Sequence, residues 1–71
     1  MSMTPEPWQQ RLVDEKDELQ GRFNRLCDFM HTSIYETLSE DEKDRLLRQR
    51  YGMNVYLEAL VERINAADFL A

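Results

Sequence analysis

The side chains with the richest potential chemistry in this chain are one cysteine and one histidine, four residues apart. Cys27 and His31 stand at i and i+4, and Asp28 and His31 at i and i+3, so on a helix all three share one side near its end. That is short of a metal site. A carboxylate di-metal centre in a four-helix bundle takes a Glu-x-x-His pair from each of two helices and a Glu from each of two others, and Asp28 with His31 is the one related spacing present. Nucleophilic catalysis would need Cys27 or a serine activated by a base and oriented by a third group, and His31 is the sole histidine. No glycine-rich phosphate loop occurs. The expectation is a protein without catalytic residues, metal or cofactor, in which a helix-terminal histidine neighbours a half-buried cysteine.

Basic and aromatic residues make a second kind of chemistry. Trp8, Arg11 and Lys16 lie toward one end of the first apolar segment. Lys16 falls where the apolar stripe carrying Leu12 and Leu19 misses a step, so a polar residue lands on the packed face. It reads either as a snorkelling lysine that fixes helix register or as a basic contact to a ligand or partner. An aromatic face beside Arg and Lys is the minimal equipment for stacking on a nucleotide and neutralising it. Arg45, Arg48 and Arg50 form another cluster. With Tyr51 they make either a protein-binding patch, Arg and Tyr being typical interface anchors, or a solvated face paired with Glu40, Asp41 and Asp44. Arg48, Tyr51 and Tyr56 join Trp8, Arg11 and Lys16 as candidate contacts to a partner or ligand. The carboxylates Asp14, Glu15 and Glu18 read as a solvated face paired with Arg11, Lys16 and Arg22.

The elements that must position these groups are helical. With 71 residues there is room for one domain, over 1–71, and one cysteine excludes an internal disulfide, so a reducing cytoplasm is the natural compartment. A net charge of -5 argues against nucleic-acid partners, DNA or RNA, and no apolar run reaches the roughly 20 residues of a membrane span. Two glycines and two prolines among many good helix formers leave little to break a helix.

Thr4, Pro5 and Glu6 predict a helix start, and Trp8, Leu12, Leu19, Phe23, Leu26 and Met30 follow at helical spacing, giving a helix over about 5–31. Ser33 with Glu36 has the form of a capping box, opening a short turn over about 34–38. Ser39 with Glu42 forms another, with Glu40, Asp41 and Glu42 at the favourable dipole end. From there Leu46, Met53, Leu57, Leu60, Ile64 and Ala67 repeat as packed helices do, giving a helix over about 40–66. Two helices of similar length and a short connector predict an all-α antiparallel hairpin.

A hairpin covers one stripe per helix, yet Leu47, Tyr51, Val55, Tyr56 and Val61 lie off the stripe. Burying one such side chain is worth about 1.5–3 kcal/mol, which is large beside what so small a core supplies. The expectation is self-association into a homodimer or higher helical bundle, with Leu47, Gly52, Val55 and Val61 as interface candidates. Gly52 reads either as a close helix approach at that interface or as a tolerated glycine.

The run from Trp8 through Leu19 resembles a family of short proteins from tailed phages and prophages, typified by a small protein of a crAss-like phage. Phe29-Met30, Leu46-Leu47, Gln49, Met53, Tyr56, Leu60 and Arg63-Ile64 extend the resemblance over nearly the full length, whereas His31 to Tyr35 and Asn65 to Ala71 lie outside it. The resemblance implies phage or prophage origin and action in the host bacterial cytoplasm. The first functional expectation is a non-catalytic interaction protein that binds a host protein and inhibits or redirects it. The alternative is an oligomeric sponge that sequesters a small nucleotide immune signal between protomers, as counter-defence.

Overall fold

The computed structural model describes residues 6–67, which form α1 (Pro7–Phe29), α2 (Ser33–Glu36) and α3 (Glu40–Ala67), with no strand among them. Thr4 and Pro5 lie outside the described residues, and the cap of α1 is Glu6. Its backbone N–H donates to Gln9 Oε1 at 2.7 Å while its carboxylate accepts from the Gln9 backbone, a reciprocal box that satisfies two helix-end donors. Pro7 then fills a first-turn position where no N–H is required. The first helix is therefore shorter at both ends than its apolar pattern predicts.

At its far end Thr32 closes one helix and opens the next. Its hydroxyl donates to the Phe29 carbonyl at 2.6 Å and accepts from the Tyr35 N–H at 3.3 Å. The cap of α2 is thus Thr32 rather than Ser33, which is the first helical residue. The Phe29 and Tyr35 rings meet edge to face, 6.3 Å between centroids. Lys43 Nζ lies 5.5 Å from the Tyr35 ring centre and 3.9 Å from Glu36, so a cation on α3 holds the connector.

Ser39 Oγ accepts from the Glu42 N–H at 3.1 Å, the first half of the predicted box. Glu42 itself turns outward to Arg45, 2.9 Å from Nη2, because a charged partner outcompetes a backbone donor for the carboxylate. Replacing Ser39 by Ala should cost about 1 kcal/mol of stability, read as a lower urea midpoint with the slope unchanged.

Leu12 and Leu19 of α1 are buried with Leu57, Leu60 and Ile64 of α3, and Val13, Phe23, Met53 and Ala67 pack against them. Eight of these nine, all but Val13, belong to the stripes read from the sequence as the packed faces of long helices, and they include the five buried ones. The core sits away from the connector. Leu26, Met30 and Leu46, nearer the connector, are only half-buried.

Candidate functional site

Because 3.6 residues make a turn, the residues one step around from the core stripe form a parallel row. On α1 that row is Val13, Lys16 and Gln20, beside Phe23 of the core stripe; on α3 it is Leu47, Arg50, Asn54, Val61 and Asn65. The structure brings the two rows together along one side of the seam. Val13 and Lys16 share a cavity of about 230 Å³ with Val61, Ile64 and Asn65. Gln20 and Phe23 share one of about 340 Å³ with Asn54, Leu57, Glu58, Val61 and Glu62. Phe23 shares a third, about 360 Å³, with Leu47, Arg50, Tyr51 and Asn54. Val61 joins the first two, and Phe23 with Asn54 joins the second and third, so the three form one furrow. Along it, numbering rises on α1 as it falls on α3.

The furrow is apolar in its floor and polar at intervals, the mix that small-molecule sites use. Lys16 stands at one end, with 30% of its side chain exposed, and Nζ lies 2.8 Å from the more open Asp17 carboxylate. An exposed ion pair of this kind is worth about 0–1 kcal/mol. The ammonium can therefore exchange that neighbour for another anion at little cost. At the other end Arg50 has no ion pair with a described residue, and Tyr51 beside it is 72% exposed.

The remaining candidates separate. Trp8, 49% exposed, and the exposed Arg11 do not line the cavity that Lys16 lines. Arg48 pairs with Asp44 at 3.2 Å and Arg45 with Glu42, while Arg50 turns into the furrow. The arginine cluster is thus divided between a solvated face and the furrow. Arg48→Ala should change stability by less than about 0.5 kcal/mol in a thermal melt. Asp14 accepts from Gln10 at 3.0 Å, and Lys16 pairs with Asp17, in place of the pairings predicted among Arg11, Lys16, Arg22 and the acidic residues. Leu47 and Val61 lie in the furrow; Val55 and Tyr56 are exposed outside it.

A Cβ added at Gly52 would meet nothing within 4 Å, so no close approach inside the chain requires glycine there. Gly52→Ala should raise stability by about 0.5–1 kcal/mol through helix propensity, measured as a higher melting temperature. His31 Nδ1 lies 2.7 Å from the Cys27 carbonyl oxygen, which closes the last turn of the helix. Among the described residues no group of three or more His, Cys, Asp or Glu is placed to hold a metal ion, and no helix is long and apolar enough to cross a membrane.

Asn54, Gln20 and Phe23 were not singled out from the sequence as site residues. The signal was present as a second row beside the core stripe, at spacings of 4 and 3, but amides in such a row look like any helix flank until two rows face each other, and Phe23 read as a core residue.

These features define a small helical protein, free of strands among the described residues, with a long furrow of mixed polarity. The chain belongs to the Sequestin family, whose model matches residues 6–66. An uncharacterised 7.5 kDa protein from the denB-rIIB intergenic region of Enterobacteria phage T4 is 35% identical to it over 57 residues, which cover 80% of this chain and 89% of that protein. No solved structure matches it.

Proposed function

We propose that this protein is a non-catalytic sponge: an antiparallel helical hairpin that self-associates and sequesters a small nucleotide immune signal in the host bacterial cytoplasm. The observation that carries this reading is the half-buried Lys16 at the mouth of a cavity floored by Val13, Val61 and Ile64, with the Asn65 amide beside it. A cation with an exposed and replaceable carboxylate neighbour suits a phosphate, while apolar walls suit a base or ribose. The family description, Sequestin, supports holding a target out of circulation rather than converting it. Kinship with a phage T4 protein supports a role in infected bacteria, and the narrower link to a crAss-like phage protein rests on the residue resemblance given above.

The test is isothermal titration calorimetry against a panel of cyclic mono- and dinucleotides, followed by recovery of the unmodified ligand after heat denaturation. Saturable binding with intact ligand released supports the reading. Absence of heat with every nucleotide, or release of a hydrolysed product, overturns it.

The other reading, capture of a host protein, is favoured by Val55 and Tyr56, which are 47% and 45% exposed and lie outside the furrow. Under that reading Tyr56→Ala abolishes capture while nucleotide titrations stay silent.

A further inference from the structure

The two ends of the hairpin are held by different chemistry. Among the described residues none from Gln20 through Tyr56 is buried, and the five buried side chains all lie within 12–19 and 57–64. The far end is therefore closed by a core, and the connector end is not. α2 has no buried residue, and its Ile34 is 63% exposed.

The contacts that tie α2 to the long helices converge on Tyr35 and Lys43. The Tyr35 ring meets Phe29 of α1 edge to face, 6.3 Å between centroids, and receives Lys43 Nζ of α3 at 5.5 Å. The same ammonium lies 3.9 Å from Glu36 of α2 and 3.6 Å from Glu40 of its own helix. Lys43 keeps only 18% of its side chain exposed, against 30% for Lys16, so its charge is less screened by water than that of a surface pair. One partly desolvated cation thus links all that α2 presents to α3.

Undoing these contacts, together with the two hydrogen bonds of the Thr32 hydroxyl, disturbs none of the buried leucines or Ile64. The connector also regains backbone freedom when it opens, which offsets much of what the contacts contribute. Segments with few buried apolar contacts open at a lower free energy than the whole chain unfolds. We infer that the connector is a clasp: α2 opens and closes as a unit of its own, pinned by Lys43, while the core of α1 and α3 stays folded. The hairpin can then change the spacing of its helices at the connector end without unfolding, a motion that the core denies to the other end. The clasp is independent of what the furrow binds.

Native-state amide hydrogen exchange, resolved by residue, tests the clasp. The Tyr35, Thr37 and Leu38 N–H groups, which donate to Thr32 Oγ1 and to the Ile34 and Tyr35 carbonyls, report on it, and those of Leu57, Leu60 and Ile64 report on the core. In the wild type the first set should be protected relative to an unfolded chain, yet exchange at least about tenfold faster than the second. Lys43→Met keeps the aliphatic stem and removes the charge; it should speed exchange of the first set by about tenfold and leave the second unchanged. Lys43→Arg, which keeps a cation able to lie over the ring, should return the first set to within about threefold of the wild type. Equal rates for the two sets in the wild type would make the hairpin one cooperative unit, and no protection at all in the first set would mean that nothing is clasped; either overturns the inference. So does a Lys43→Met variant that leaves the first set unchanged or speeds both sets alike, or a Lys43→Arg variant that fails to restore it.

Discussion

Replacing Leu60 by Ala should abolish cooperative unfolding at 25 °C, so that the far-ultraviolet circular dichroism signal declines without a midpoint on heating. Leu60 is 1% exposed and is the one large side chain among the described residues that is fully buried. It stands in α3 between Leu57 and Ile64 and joins them to Leu12 and Leu19. A buried Leu→Ala change costs about 2–5 kcal/mol, because the lost transfer energy is compounded by the cavity left behind. A single core in a chain of this size supplies roughly 3–5 kcal/mol in all. One substitution therefore matches the whole stability of a protomer. The comparison is Ile34→Ala on α2, at a side chain 63% exposed, which should leave the melt within about 0.5 kcal/mol of the wild type. A wild-type-like melt for Leu60→Ala would place the stabilising contacts elsewhere.

The second large effect separates the two meanings of Lys16. Its stem lies along the packed side of α1 and its ammonium reaches the mouth of the cavity beside Val61 and Asn65. If the lysine serves only to fix register, Lys16→Leu should alter self-association and leave any ligand behaviour unchanged. If it holds a phosphate, Lys16→Leu should leave the fold as stable as before or more so, since an apolar side chain replaces a partly desolvated cation. Nucleotide affinity should then fall roughly 10- to 150-fold, the equivalent of a charge-assisted hydrogen bond worth about 1.5–3 kcal/mol. The two measurements move in opposite directions, so a general loss of structure cannot imitate the result. Unchanged affinity with a shifted dimer constant would assign the lysine to register alone.

The expected helical content and its boundaries came from local chemistry. Ser39 before three acidic residues, proline near the first helical position and apolar residues at spacings of 3 and 4 all act within a few residues of themselves, so sequence order suffices to read them. Where the boundaries moved, the cause was equally local: Glu6 and Gln9 cap one another, and Thr32, rather than Ser33, serves both helix ends. The acidic balance and the surplus of apolar residues off the main stripe were also legible, because composition is independent of folding.

What the sequence left undetermined was which side chains meet. Lys16 was conspicuous as a polar residue on a packed stripe, but sequence order could not show that it shares a cavity with Val61, Ile64 and Asn65, about 45 to 49 positions away in the chain. Likewise Arg50 and Arg48 stand two residues apart and looked like one cluster, yet a rotation of about 200° around a helix sends one into the furrow and the other to Asp44. The periodicity of a helix is written in its own residues. The register between two helices depends on how both surfaces interlock at once, and only the packing of α1 on α3 decided it.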